Sequence, residues 1–159
     1  MNTIYLLLGS NIGDAVAHLS SAKKYIEKEI GAIIKFSGIY KTAAWGNENQ
    51  PDFLNQILIV HTRFTAQQTI TKILSIEKEI GRMRSKKNAP RIIDIDILFF
   101  NNEIIRSTDL IVPHPEIQNR RFVLVPLNEL SPEIIHPVLQ KTIFELLEDC
   151  VDKLNVQKI

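Results

Sequence analysis

Two aspartates, Asp94 and Asp96, stand two residues apart within a run of isoleucines. On a β-strand, side chains two apart share a face, so both carboxylates would project away from the isoleucines. Adjacent like charges are unfavourable unless a cation joins them. Carboxylate oxygens suit Mg²⁺, whose shell is commonly completed by phosphates and water. The spacing therefore indicates a magnesium site, and an amphipathic strand with a solvated acidic face is the alternative.

The segment directly before this strand, residues 82–91, carries five cations and no acid. Its arginines, Arg82, Arg84 and Arg91, suit bidentate contacts with phosphate. A cationic loop beside Mg²⁺ is one way in which proteins hold a triphosphate, and a solvated basic loop is the alternative. Because the net charge of the whole chain is only +1, the pattern favours a local anion site and no nucleic-acid partner.

Four other residues have a context that suggests chemistry. Glu77 falls on or beside the apolar face of a predicted helix, where a carboxylate needs a partner such as a nearby arginine. His114 is fixed between two prolines, although a lone histidine is more often structural. Phe53 and Asn55 stand two apart on a predicted strand. They either stack on and hydrogen-bond a planar heterocycle or belong to the core and the strand end.

Hydrophobic periodicity predicts the elements that position these residues. Strands are expected at 3–8, 33–40, 53–62 and 92–100, a loop at 41–52, and helices after Asp14, after Thr65 and at 143–154. Thr65 and Gln68 form a capping box, and residues 101–102 can turn the chain back into 103–105. Residues 122–130 fit either a short helix or a strand. The order β-α-β-β-α-β predicts an α+β fold, with helices on one face of a largely antiparallel sheet.

The chain length of 159 residues is that of one domain, so we expect a single domain over 1–159. One cysteine cannot form an intrachain disulfide, which fits a cytoplasmic location. The longest apolar run, residues 4–8, is far too short to span a bilayer, and no cation precedes it. We therefore expect no membrane association. No P-loop and no zinc-binding spacing is present.

Several segments, taken in order, form a recognisable set. They are residues 8–14 (LGSNIGD), 50–55 (QPDFLN), Glu77 with 81–84 (GRMR), 90–97 (PRIIDIDI), and 112–114 (VPH) with 119–122 (NRRF). From residue 3 to residue 137 the chain resembles the 6-hydroxymethyl-7,8-dihydropterin pyrophosphokinases of folate biosynthesis. The resemblance implies a ferredoxin-like α+β fold. It also implies transfer of the pyrophosphoryl group of ATP to the hydroxymethyl oxygen of the pterin, with release of AMP.

The resemblance implies a role for individual residues as well. Asp94 and Asp96 would hold two Mg²⁺ ions, and Arg82 and Arg91 would close over the phosphates. Further contacts with ATP are implied for Glu77, Arg84, Ile97, Ile111, His114 and Arg120. The pterin ring would lie between Phe53 and Phe122, with Asn55 at its edge and the pocket lined by Thr42, Ala43, Ala44, Trp45 and Gly46.

The chain departs from the family in its loops. Residues 88–89 (Asn-Ala) stand where many relatives have Trp-Gly, and Pro115 stands where many have tyrosine. Trp45 is a candidate to cover the pterin site instead.

A monomer acting on small molecules is expected. The alternative function is a non-catalytic ferredoxin-like module that binds nucleotide or RNA, against which the paired aspartates argue, since RNA-binding sheets present aromatic and basic side chains.

Overall fold

The computed structural model describes residues 1–43, 49–81 and 92–159. In chain order, its elements are β1 (Asn2–Ser10), α1 (Ala15–Glu29), β2 (Gly31–Phe36), β3 (Tyr40–Thr42), β4 (Phe53–Thr62), α2 (Ala66–Ile80), β5 (Asp94–Phe100), β6 (Ile105–Arg106), β7 (Ile111–Val112), a 3₁₀ helix (Ile117–Asn119), α3 (Arg121–Leu130), α4 (Ile143–Asp149) and β8 (Val156–Lys158). No helix within these ranges is long and apolar enough to cross a membrane.

The main sheet is antiparallel, with the strand order β5-β1-β4-β3-β8 and with β2 paired to β4. The prediction of one strand over 33–40 is wrong, because β2 and β3 pair with successive parts of β4. Ser37 lies between them and is fully buried. Its hydroxyl accepts the N–H of Ile57 at 2.9 Å, and its own N–H donates to the Ile57 carbonyl. This side-chain bond interrupts the regular ladder and divides the strand.

One face of the sheet is covered by α1 and α2, as the sequence predicts. Asp14 caps α1 by accepting the N–H of Ala17, and Thr65 and Gln68 form the expected capping box at α2. Ile4, Leu6 and Leu8 of β1 point to this face. They pack with apolar residues of both helices, of β5 and of the position just before β5, which include Leu19, Ile26, Ile73, Ile76, Ile93, Ile95 and Ile97.

The opposite face is partly covered by α3 and α4, so the expectation that helices lie on one face is incomplete. Leu7, Ile57 and Phe99 of the sheet pack there against Val123, Leu124, Leu127, Ile143 and Leu146. The ambiguous segment 122–130 is therefore helical, and the helix predicted over 143–154 ends at Asp149. Residues 101–102 form the expected turn, but the chain then pairs β6 with β7 and not with β5.

Candidate active site

The two aspartates lie where β5 pairs with the end of β1. Asp94 stands opposite Gly9 and Asp96 opposite Leu7, so both carboxylates lie on the α3 side of the sheet. Ile95, between them, is buried on the α1–α2 side. The alternation predicted from the sequence is confirmed, and it leaves both carboxylates half-buried on one face.

An open cavity of about 570 Å³, measured with its solvent-exposed mouth, lies over this part of the sheet. Four strands and the start of α3 supply its lining: Leu7, Gly9, Thr42, Ala43, Phe53, Asn55, Asp94, Asp96, Arg120 and Phe122. The fold thus brings the predicted metal ligands and five of the predicted pterin-binding residues to one cavity, although they are far apart in sequence.

The space exists because α3 and α4 cover only part of this face and because Gly9 has no side chain. A Cβ atom at Gly9 would lie 2.8 Å from the Oδ1 atom of Asn55 and 3.8 Å from the ring of Phe53. Glycine is therefore required here by close approach, since any larger residue would displace Asn55 or fill the cavity floor.

Asn55 provides the clearest sign that the cavity receives a polar ligand. Its side chain is 3% exposed, and its Nδ2 atom has no hydrogen-bond partner among the residues that the structure describes. A buried donor without an acceptor costs about 1–3 kcal/mol. A ligand that carries an acceptor at this position would remove that penalty.

Arg120 and Phe122 close the cavity from the side of α3. Phe122 is the second residue of the helix and Arg120 stands at its N-cap. The guanidinium carbon of Arg120 lies 5.8 Å from the centroid of the Phe122 ring, which is within cation–π range. One helix start thus presents both a cation and an aromatic face to the cavity.

His114 is a neutral hydrogen-bond donor near the aspartates. Burial and the charge of Arg120 lower the pKa of its imidazole from 6.5 to about 4, and Asp94 opposes that shift. The Nδ1 atom accepts the N–H of Glu116 at 3.1 Å, so the proton of the neutral ring lies on Nε2. At neutral pH His114 therefore offers an uncharged N–H group.

Glu77 positions the strand that carries the aspartates. It is 4% exposed on α2, and its Oε2 atom accepts the N–H of Ile95 at 2.8 Å. Because Ile95 stands between Asp94 and Asp96, this bond fixes the main chain at the centre of the pair. The contact of Glu77 with ATP implied by the resemblance stays a prediction.

Several predicted residues are not gathered in the cavity. Arg82, Arg84, Arg91, Ala44, Trp45 and Gly46 lie outside the described residues. Ile97 packs in the core under α1 and α2, so only its main chain remains for a nucleotide contact. Ile111 is 49% exposed and lines, with His114 and Arg106, a neighbouring cavity of about 520 Å³. The predicted roles of Ile97 and Ile111 remain untested.

A polar connection between two loops was missed by sequence reasoning. The buried Asn11 donates through Nδ2 to Gln50 Oε1 at 2.7 Å and to the Pro51 carbonyl at 3.1 Å. This ties the end of β1 to the segment that leads into Phe53. Asn11 and Gln50 belong to the motifs 8–14 and 50–55, but neither has a side chain that by type alone suggests catalysis.

The carboxylates in the cavity suit a magnesium ion better than a metal whose ligands all come from the protein. No group of three or more His, Cys, Asp or Glu residues that could surround a metal occurs in 1–43, 49–81 and 92–159. Mg²⁺ is usually bound by one or two carboxylates, with water and substrate phosphates as its other ligands. Asp94 and Asp96, half-buried beside an open cavity, fit that requirement.

Curated relatives match the chain along most of its length. It is 44% identical to the 2-amino-4-hydroxy-6-hydroxymethyldihydropteridine pyrophosphokinase of Aquifex aeolicus, over 91% of this chain and 90% of that protein. It is 35% identical to the enzyme of the same name from Haemophilus influenzae, over 98% and 99% of the two chains. The folic acid synthesis protein of Pneumocystis carinii is 35% identical, but there the match spans only 20% of the longer chain.

Solved structures agree on the fold. The HPPK-DHPS protein of Plasmodium falciparum superposes with a TM-score of 0.78 at 20% identity, over 93% of this chain and 43% of that one. The sequence model for 7,8-dihydro-6-hydroxymethylpterin-pyrophosphokinase matches residues 5–132, a range that contains every residue lining the main cavity. With relatives that match it over nearly their full length, this chain belongs to the 7,8-dihydro-6-hydroxymethylpterin-pyrophosphokinase family.

Proposed function

We propose that this chain transfers the pyrophosphoryl group of ATP to the hydroxymethyl oxygen of 6-hydroxymethyl-7,8-dihydropterin in folate biosynthesis. The observation that carries the proposal is a single cavity that joins an aspartate pair to two phenylalanines and a buried amide donor. One end suits a metal-bound phosphate chain and the other a flat heterocycle. Family membership supports the same reaction.

The aromatic end of the cavity accommodates the pterin. Phe53 and Phe122 both line the cavity, and a ring lying between them would bury both of its faces. Offset aromatic contacts add about 0.5–1.5 kcal/mol beyond the area that they bury. The Nδ2 atom of Asn55 would donate to an acceptor on the ring edge, which satisfies the buried donor described above.

The acidic end accommodates the phosphates of ATP. Asp94 and Asp96 would hold Mg²⁺, which when bound neutralises and orients phosphate oxygens. Arg120, on the same cavity, supplies a cation for the phosphate chain. His114 would donate its neutral Nε2–H to a phosphate oxygen, and it adds no charge because its pKa is low.

The reaction then requires mainly alignment of the two substrates. The hydroxymethyl oxygen attacks the β-phosphorus and releases its proton to water, while the bond from that phosphorus to the oxygen shared with the α-phosphate breaks. AMP leaves with the bridging oxygen. Phosphoryl transfer of this kind depends on positioning and on stabilising charge on the phosphate oxygens. The floor formed by Gly9 leaves room for the two reacting atoms to meet.

Six further predicted residues belong to the two segments outside the described ranges. We propose that Arg82 and Arg91 contact the phosphates in the transition state and that Arg84 is a further ATP contact. Ala44, Trp45 and Gly46 would line the pterin pocket beside Ala43. A monomeric state and a cytoplasmic location stay predictions.

Product analysis tests the proposed reaction directly. Purified protein is incubated with ATP, Mg²⁺ and 6-hydroxymethyl-7,8-dihydropterin, and nucleotides are separated by chromatography. We expect one AMP per pyrophosphorylated pterin and no AMP with 6-methyl-7,8-dihydropterin, which lacks the attacking hydroxyl. Formation of ADP would instead indicate transfer of a single phosphoryl group. An absence of turnover would favour a nucleotide-binding module without catalysis.

A further inference from the structure

The segment that follows α4, residues 152–158, lies beyond the stretch matched by the family model, which ends at residue 132. It nevertheless contacts two walls of the cavity. Asp152 hydrogen-bonds to the first residue of α3, and Asn155 and Val156 contact the end of β3. These walls carry Phe122 on one side and Thr42 on the other.

The contact at α3 supplies what the helix itself lacks. The first N–H groups of a helix need acceptors from outside it, and the guanidinium of Arg120, at the N-cap, has none to offer. The first turn also contains no acid. Asp152 Oδ2 accepts the N–H of Arg121 at 3.0 Å, and its Oδ1 accepts the N–H of Leu154 at 3.0 Å. The Asp152 carboxylate thus caps the start of α3 and also forms a local hydrogen bond within the 152–158 segment.

The contact at β3 fixes the facing wall. The Thr42 hydroxyl donates to the Asn155 carbonyl at 3.1 Å, and Thr42 pairs with Val156 across the β3–β8 ladder. Farther along, Lys158 forms a 3.4 Å ion pair with Glu129 near the end of α3, and Glu129 accepts the Tyr40 hydroxyl. The 152–158 segment therefore spans from the start of α3 to β3 and back to the end of α3.

We infer that Asp152 is a positioning residue for the pterin half of the active site. By capping α3 from the 152–158 segment, it sets where Phe122 stands relative to the wall formed by Thr42. The inference rests on the proposed function, because it assumes that the pterin binds beside Phe122. Without the carboxylate, the helix start would lose its external acceptor, and α3 would be tied to β3 only near its other end, through Glu129.

Titration of 6-hydroxymethylpterin by calorimetry tests this inference. The variants are Asp152→Ala, which loses both acceptors, and Asp152→Asn, which keeps one. Asp149→Ala is the matched control, since it removes a carboxylate three residues earlier that forms an exposed pair with Lys141. We expect at least fivefold weaker pterin binding for Asp152→Ala, an intermediate loss for Asp152→Asn and no change for the control. The KM for pterin should rise while kcat changes less than twofold.

The outcomes separate the inference from the proposed function. If the unaltered chain binds no pterin, either alone or with Mg²⁺ and a non-hydrolysable ATP analogue, the proposed function fails, whatever the variants do. If it binds and both Asp152 variants bind equally well per folded molecule, the inference is overturned, even where the melting temperature falls. Should Asp152→Ala fail to fold, the Asp152→Asn variant decides: unchanged pterin affinity contradicts the inference, and a measurable loss beside an unchanged control supports it.

Discussion

The two faces of the sheet are built from the same strands, yet one is packed in the core and the other lines the cavity. On the α1–α2 face, alternate residues of β1 and β5 are large and aliphatic, as in Leu6, Leu8 and Ile95, and both helices cover them. On the other face, the neighbouring residues of those strands are Gly9, Asp94 and Asp96. There α3 and α4 cover only part of the sheet and leave a cavity.

The difference shows how a strand separates stability from chemistry. Because side chains alternate, a residue that packs in the core is followed by one that faces the ligand. Burying Ile95 fixes the main chain, and the bond from its N–H to Glu77 fixes it further. The aspartates on either side are therefore held by interactions on the face opposite to the cavity. Substitutions on the cavity face should consequently lower activity and leave stability nearly unchanged. Substitutions on the α1–α2 face should lower stability and leave ligand binding unchanged.

Removing either carboxylate from the cavity face should have the largest effect. In Asp94→Asn or Asp96→Asn the shape is kept but an anionic group that we propose as a metal ligand is lost, so we expect turnover to fall by about a thousandfold or more. The melting temperature should stay within a few degrees of the original. Steady-state AMP formation with saturating Mg²⁺ measures the first quantity, and Asp149→Asn is the control. Near-normal Mg²⁺-dependent turnover in either variant would refute the assignment.

Truncating a side chain on the α1–α2 face should instead lower stability and leave pterin binding unchanged. Ile26 of α1 is fully buried under the sheet, and its replacement by alanine should lower the free energy of unfolding by about 2–5 kcal/mol. Urea titration measures this loss. Pterin affinity, measured calorimetrically on the folded protein at low temperature, should be unchanged. A comparable loss of affinity would mean that the two faces are not independent.

Smaller changes are expected at the residues that we propose as pterin contacts. Phe122→Ala and Asn55→Ala should each weaken pterin binding at least tenfold, because they remove a stacking surface and a buried edge donor. Binding of a non-hydrolysable ATP analogue should be almost unaltered. Calorimetric titration of both ligands into each variant, beside a melting curve, distinguishes a ligand contact from core packing. If stability falls and pterin affinity per folded molecule is preserved, these residues are core residues.

The smallest effect should come from His114, whose pKa in the folded protein is about 4 instead of 6.5. Between these values the unfolded chain binds a proton that the folded chain does not, so the free energy of unfolding decreases as pH falls through this window. His114→Gln should make that decrease shallower in metal-free protein. Urea titrations at pH 6.5, 5.5 and 4.5 measure it, with His61→Gln as the control. Parallel curves for His114→Gln and the unaltered chain would contradict the shift.

The sequence was sufficient where local periodicity decides the structure. The strand of Asp94 and Asp96, the strand 53–62 and the capping box at Thr65 follow from alternation and capping, which act over a few residues. The division of β2 from β3 depended on Ser37 bonding to Ile57, twenty residues away. The cover of α3 and α4 on the second face likewise depends on contacts between distant segments, which periodicity cannot specify.

For the site, the sequence predicted residues that the fold brings together, but not the hydrogen bonds that position them. Asp94, Asp96, Phe53, Asn55 and Phe122 line one cavity, and the roles predicted for them stay predictions. Asn11 and Asp152 are ordinary polar residues in sequence. Their importance arises from hydrogen bonds to Gln50 and Arg121, which join segments that are distant in the chain.

The side-chain amide of Asn55 gives the most direct test of the central claim that the pterin binds on the partly open face. In ¹⁵N-labelled protein, its Nδ2 resonances can be assigned by their loss in Asn55→Asp. Since this donor has no partner among the described residues, saturation with 6-hydroxymethylpterin should shift at least one of its protons strongly downfield and slow its exchange with water. If pterin binds by calorimetry and these resonances do not move, the pterin lies elsewhere and the claim is wrong.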